Sequence, residues 1–480
     1  MKRIYIIFIA SYLMFSISSC NKQGFFEVDD SIVDPNSVPV DVVLASPSKA
    51  QIIQLCKGLE STMRNGYPDF LQNTGTIGRE IISSRATDNR YYTELLGTNV
   101  AQYGGATAGA NDPAGIFNSY YIAFSATRRR AELLVLTANN ATTITAGEKK
   151  AVEGFARTIQ AYVTLNLLNI QGKNGIRETF SDLSSPGDLL KPGKFGTYAS
   201  GLVLVKKYAD DGLAALNVGG TVVPFKAASG FDITSASTNP LTNINVFKEF
   251  NRAVAARISM YQNDWAGVLL NLNSSFLNLT GSLTAGPQYI WSTLPNDFSN
   301  TIFVTPNNNG QPYVIFNETI ANVEAGDTRF TGTTAKVQPR TSVRSSGVFT
   351  STHEVRMFAS NVSPSNIIKN EELILMFAEA KAEQNNAATL AEAVTAINRI
   401  RTSYGLAAYT GAINKDALIT EVLRQRRFSL FFEGHRWFDM RRRGLLSQVQ
   451  PQGNIGGQTF VVFENMSRPD AEIQWDLRNP

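Results

Sequence analysis

Residues 421–444 read EVLRQRRFSLFFEGHRWFDMRRRG, a run dense in both arginine and large aromatics. Arg424, Arg426, Arg427, Arg436, Arg441, Arg442 and Arg443 alternate with Phe428, Phe431, Phe432, Trp437 and Phe438. A solvated basic tail does not carry so many large apolar groups, and a plain core helix does not carry so many charges. The mixture points to guanidinium groups packed on aromatic faces and paired with Glu421, Glu433 and Asp439. The run Glu433, Gly434, His435, Arg436, Trp437, Phe438 and Asp439 therefore reads as a packed, salt-bridged closure of the fold. Gly434 would relieve a tight turn into a short helix.

Working back from this segment, three regions read as helical hairpins. Residues 118–137 and 147–170 form the first, with Val152, Phe155, Ile159 and Tyr162 at helical spacing marking one buried face. Residues 246–262 carry Phe250, Val254, Ile258 and Tyr261, and Asp264 is placed to cap a second helix starting at Trp265. Residues 371–384 and 390–401 form the third hairpin, which Gly405 is placed to terminate. Each spans roughly one tetratricopeptide unit, and Ala378, Ala380 and Ala393 permit close helix approach. The fold class predicted is mainly α: tetratricopeptide-like helical hairpins with a loop-rich face and a few short strands. The intervening stretches 66–112, 172–193, 216–243 and 278–363 are rich in Gly, Asn, Ser, Thr and Pro and read as long loops on one domain spanning 49–480. Within the last, 312–316 and 347–350 are candidate short strands, and Asp327 with Arg329 reads as a structural pair.

The N-terminus reads as an exported lipoprotein. Lys2 and Arg3 precede an apolar run over residues 4–17, too short to span a bilayer, and Ile17-Ser18-Ser19-Cys20 resembles a bacterial lipobox. Residues 1–19 would be removed as a signal peptide. Residues 20–48, with Pro35, Pro39 and Pro47, would form a lipidated N-terminus and tether. Cys56 is the one other cysteine, so the mature chain has no disulfide within it. No later segment is apolar enough to cross a membrane. The net charge of +4, from 44 basic and 40 acidic residues, is too balanced for a nucleic-acid partner.

The two histidines, His353 and His435, belong to no metal-binding or catalytic pattern, and no HExxH, CxxC, Walker or GxSxG motif occurs. No catalysis, metal or cofactor is expected. Binding residues are sought in the loops, because sugars stack their CH faces on aromatics and bond planar amides and carboxylates. The candidates are Tyr67, Arg85, Asp88, Asn89, Tyr91, Tyr92, Tyr289, Trp291 and Tyr313.

The segment FEGHRWFD, Phe432 to Asp439, closely resembles the C-terminal signature of the SusD/RagB family of outer-membrane nutrient-binding lipoproteins of Bacteroidetes. EELILMFAEAKAE followed by LAEAVTAINRIRTSYGL is similar to that family's central helix pair, and AVAARISMYQNDWAGVL to the preceding one. The resemblance implies a degenerate tetratricopeptide-like scaffold that captures an oligosaccharide and hands it to a TonB-dependent outer-membrane transporter of the SusC/RagA type. It also implies anchoring to the outer membrane through Cys20, facing the cell surface. Residues 21–26 lack the acidic run that often directs surface display in this phylum. A peptide ligand of the RagB type, a structural lipoprotein scaffold and a surface glycan hydrolase are the alternatives. Family members bind ligand through loop residues that vary, so no binding residue carries over by motif.

Lipidation gives the first prediction. Cells expressing the chain and fed labelled fatty acid are expected to label the wild type and not Cys20→Ala; equal labelling of both would remove the anchor.

Overall fold

Thr145 opens the longest of the described helices. Its side chain accepts from the Glu148 N–H while the Glu148 side chain accepts from the Thr145 N–H, which satisfies two donors that a helix start leaves open. The computed structural model describes residues 47–84, 90–97, 111–179, 193–231 and 242–479. In chain order its helices are α1 (Lys49–Thr62), α2 (Tyr67–Ile77), α3 (Arg90–Leu96), α4 (Asn118–Asn140), α5 (Ala146–Gln171), α6 (Tyr198–Val218), α7 (Ile244–Tyr261) and α8 (Trp265–Asn273). They continue with α9 (Asn317–Ala321), α10 (Asn370–Gln384), α11 (Ala387–Ser403), α12 (Lys415–Ser429), α13 (Arg436–Arg442) and α14 (Asp470–Arg478). The fold is mainly α-helical, and the three hairpins read from the sequence are α4–α5, α7–α8 and α10–α11.

α5 is the centre of the scaffold. It packs on α4, α6 and α7, and nearly every residue from Ala151 to Gln171 is buried. Its contact with α6 depends on Gly154: a Cβ there would lie 2.4 Å from Leu216 Cγ and 2.8 Å from the Gly212 carbonyl. Asp264 caps α8 by accepting from the Gly267 N–H at 2.8 Å, and Asn386 caps α11 in a capping box with Thr389. Gly405, at φ +77°, turns the chain just beyond α11. One apolar cluster runs from Ile52 to Met466. A second, smaller one sits between α10, α11 and α12 around Leu375, Ile397 and Val422.

The stretches read as loops hold more structure than their composition indicates. Residues 66–112 contain α2, β1 (Ile81–Ser83) and α3. Polar residues misled here: Gln72, Asn73, Thr74 and Thr76 are all buried, and the threonine hydroxyls donate back to the carbonyls of Phe70 and Gln72. Residues 278–363 contain β2 (Gln288–Tyr289), β3 (Tyr313–Ile315), α9, β4 (Val337–Ser346) and β5 (Phe349–Val355). β1, β3, β5 and β4 form, in that order, an antiparallel sheet with Ile81 opposite Ile315, Val314 opposite Glu354 and Val337 opposite Val355. Its register shifts between Pro339 and Arg344. Ile82, Tyr92, Val314, Phe316 and Phe460 form an apolar cluster beside it. β2 pairs with β6 (Ser365–Asn366), and β7 (Gly453–Ile455) pairs with β8 (Gln458–Phe460). Asp327 and Arg329 form a buried pair, with a bidentate contact reaching 2.7 Å.

The C-terminal segment folds as α12, a turn and α13. The turn is tight: Gly434 has φ +81°, and a Cβ there would lie 2.6 Å from the Phe70 ring. Phe432 itself takes φ +55°, its ring against Tyr313 and its N–H donated to Glu80. Trp437 is fully buried and donates Nε1–H to the Phe463 carbonyl at 2.7 Å. The Arg441 guanidinium lies over the rings of Trp437 and Phe438 at 5.4 and 5.3 Å.

Glu80 makes folding sensitive to pH. Burial pushes its carboxyl up to about 8, against Arg436 and Arg427 nearby. The folded state therefore keeps a proton that the unfolded chain releases near 4.5, so this group's stabilising contribution is complete below pH 4.5 and is lost as pH rises to 8. His435, pushed down to about 4 by burial, opposes this slope below 6.5. Glu80→Gln, which keeps the acceptor for Phe432, is expected to gain stability over wild type by about 1.4 kcal/mol per pH unit between pH 6.5 and 8. Parallel chemical-denaturation curves for the two proteins across that window would refute it.

Candidate functional site

Cys56, Leu59 and Met63 turn the apolar side of α1 and its following turn into the core. Lys57, Glu60 and Arg64, at helical spacing, line the adjoining side. They form one wall of a cleft of about 400 Å³. Lys226 and Ala228 stand on a second wall, and Gln288, Tyr289, Ile290 and Asp297 on a third. Met63, Phe231 and Ile367 add apolar floor. Arg64 ties two walls together, donating to the Ile290 carbonyl at 2.5 Å and to Asp297 at 2.6 Å while lying 5.7 Å from the Phe298 ring. Glu60 accepts from the Ala228 N–H at 2.7 Å, and burial pushes its carboxyl up to about 7. A cleft of this size, apolar below and lined with an amide, a carboxyl and cations, matches the chemistry of a polyhydroxylated ligand.

The predicted aromatics occupy different places. Tyr67, Tyr289 and Trp291 are brought together, with ring centroids 4.5 Å apart for the first pair and 6.0 Å for the second. All three are 3–4% exposed. Tyr67 donates its hydroxyl to the Asn366 carbonyl, and Trp291 donates Nε1–H to Ser365. They pack the segments down, and among them Tyr289 also reaches the floor of the cleft. Tyr313 is buried elsewhere, bonded to Gln72 at 2.9 Å. Tyr91 and Tyr92 are buried residues of a helix, contrary to their reading as open-loop residues. Tyr92 donates to Gln458 at 2.6 Å, its ring edge-on to Phe349 and Phe460. Arg85, Asp88, Asn89 and the lipidation residue Cys20 lie outside the described residues. Lys57, Glu60, Arg64, Lys226, Gln288 and Asp297 were not among the sequence candidates. Helical spacing of charge at 57, 60 and 64 was the one signal available for three of them.

A second cleft of about 210 Å³ opens beside the C-terminal segment, between Lys336, Arg356, Phe358, Lys369, Tyr404 and Glu433. Its base is an ion cluster: Lys369 lies 2.6 Å from Glu433 and 3.2 Å from Glu371, and Lys336 lies 3.5 Å from Glu433. Burial and the Lys369 charge push Lys336 down to about 8. Glu433 thus both closes the fold and lines a cavity. Among the described residues no group of His, Cys, Asp and Glu could hold a metal ion, and no helix is long and apolar enough to cross a membrane.

Residues 366–472, from β6 through the C-terminal motif into α14, match the model of the SusD family. The architecture matches solved structures over most of the chain. Surface glycan-binding protein A from Bacteroides thetaiotaomicron superposes with a TM-score of 0.65 at 13% identity, covering 91% of this chain and 99% of that one. Surface glycan-binding protein A from Bacteroides uniformis gives 0.63 at 16%, covering 90% and 98%. A SusD superfamily protein from Bacteroides vulgatus ATCC 8482 gives 0.62 at 14%, covering 89% and 97%. No curated protein matches the chain. The C-terminal segment is thus similar to the SusD family, and the architecture is that of solved SusD-superfamily structures. At these identities the structural likeness is one of architecture, and the ligand has to be argued from the chain's own residues.

The burial of Trp291 gives a prediction. Trp291→Ala is expected to cost about 3–5 kcal/mol of stability, as for a buried large aromatic. A variant with unchanged melting temperature and lost ligand binding would instead return this residue to the binding surface.

Proposed function

We propose that this protein is a cell-surface lipoprotein, anchored through Cys20, that captures an oligosaccharide and delivers it to a TonB-dependent transporter of the SusC/RagA type. The observation that carries the reading is the 400 Å³ cleft, set in a fold shared with two surface glycan-binding proteins. Tyr289 and Phe231 supply apolar floor for a sugar's CH face. Gln288 and Glu60 bond hydroxyls, and Lys57, Arg64 and Lys226 add donors. The mechanism is capture and release, with no bond made or broken. The proposed lipid anchor holds the ligand at the membrane, and the transporter supplies the route across it.

Calorimetry with a glycan panel on the chain from residue 21 onward tests the reading. Ala228→Trp places a bulky ring in the cleft and leaves the Ala228 N–H free to bond Glu60. It is expected to weaken binding by at least about 2 kcal/mol, roughly thirtyfold, with the melting temperature held. Unchanged affinity would move the site elsewhere. For the delivery step, affinity purification from detergent-solubilised outer membranes is expected to recover a barrel partner; recovery of this protein alone would favour a free-standing binding protein.

A further inference from the structure

The charges around the cleft do not cancel. Arg64 is committed to Asp297, Ile290 and Ser61, so the guanidinium and the Asp297 carboxylate neutralise each other in place. Glu60 is turned onto the Ala228 N–H. Lys57 on α1 and Lys226 on the second wall remain, both exposed, and among the described residues no hydrogen bond or ion pair to another side chain holds either ammonium. Beneath them lie Met63, Phe231, Tyr289 and Ile367. A charge held over an apolar floor is less screened than one in open solvent, so an anion between the two lysines would be held more firmly than on a flat surface.

We infer that this cleft selects an anionic oligosaccharide, whose carboxylate or sulfate ester sits between the ammonium groups of Lys57 and Lys226. The inference rests on the glycan-capture reading and narrows it to a ligand class. Neutral sugars would leave the two lysines without counter-charge, while an acidic sugar supplies it and keeps its hydroxyls for Gln288 and Glu60.

Glu60 couples this recognition to pH. Charged groups face it from each element around it: Lys57 and Arg64 from its own helix and turn, Lys226 from the second wall and Asp297 from the third. Cys56, also nearby, has a thiol that burial pushes far up. With its carboxyl pushed up to about 7, Glu60 exchanges a proton within the physiological range. Below that value it is a neutral donor and no longer repels an anion. Above it, it is a like charge beside the ligand. Affinity for an acidic sugar is therefore expected to rise as pH falls from 8 to 6, with proton uptake on binding, while affinity for a neutral sugar stays level.

The test uses matched pairs: oligouronides against their methyl esters, and sulfated oligosaccharides against the desulfated forms, measured by calorimetry at pH 6 and 8. The acid or sulfate member of a pair is expected to bind at least about tenfold tighter at pH 6, and which pair responds identifies the anion. Lys57→Gln with Lys226→Gln, both at exposed positions, is expected to remove that preference at unchanged melting temperature. Glu60→Gln is expected to remove the pH dependence and leave the preference. Equal affinity within every pair, or a preference that survives the double substitution, overturns the inference and leaves glycan capture standing. Failure of every glycan in the panel, charged or neutral, overturns both.

Discussion

Asp439 accepts from Arg426 at 2.7 Å on one oxygen and from Arg442 at 3.0 Å on the other. Arg442 then reaches Glu379 on α10 through two hydrogen bonds of 2.5 and 2.8 Å, and Arg443 joins Glu379 to Glu383. These groups are buried or nearly so, and a buried charge is tolerable only with its partner in place. Burial alone would raise the Asp439 carboxyl, but Arg426 and Arg442 hold it well below the usual carboxylate range. The network fixes α12, α13 and α10 against one another. Everything that depends on the turn between α12 and α13 follows: the left-handed Phe432 and Gly434, the buried Trp437, and the Glu433 carboxylate at the base of the second cleft.

The same constraint recurs through the protein. Arg257 on α7 meets Glu372 on α10 in a bidentate pair at 2.7 and 2.6 Å. Arg401 on α11 joins Glu421 on α12 to Glu324. Arg79, fully buried, has no carboxylate partner among the described residues and donates to the backbone carbonyls of Thr76, Ile77, Leu96, Pro451 and Val461. Such groups contribute less to net stability than an equally well-packed apolar core would, but removing one partner leaves the other stranded. They set which helix lies against which. The cleft stands outside this interior lattice, with Arg64 paired to Asp297 at its edge and two lysines left over. What sets the cleft apart from this interior lattice is a pair of exposed lysines over an apolar floor.

Legibility followed periodicity. The hairpins were readable because Val152, Phe155, Ile159 and Tyr162, or Leu373, Phe377 and Ala380, repeat every three or four residues on a face that must be buried. Asp264 and Gly405 were readable because a helix end needs a cap of a particular chemistry. Where these signals failed, tertiary burial had overridden composition. α2 looks like a polar loop because Gln72, Asn73, Thr74 and Thr76 are buried inside the protein. β4 was missed and β5 was read only at its start, in 347–350, because their Thr, Ser and Arg side chains carry little apolar content. The aromatic candidates were selected as residues of polar stretches, and Tyr67, Tyr289 and Trp291 turned inward because a large ring gains most by leaving water.

The helical scaffold, its pairing into hairpins, and the charged aromatic closure near the C-terminus are all encoded locally. Each is written in spacing along one chain segment, within the reach of a single helix or turn. The sequence named Glu421, Glu433 and Asp439 as the acids of that closure, and of these only Asp439 pairs with arginines of the same segment. Glu421 is met by Arg401 and Glu433 by Lys369. Which partner a buried charge finds depends on which elements the packing brings within about 3 Å, and no local pattern encodes that. The cleft is the same case on a larger scale. Lys57, Lys226 and Gln288 are far apart in the chain, each an ordinary polar residue in its own segment. Only the docking of three walls on one apolar floor makes them a site.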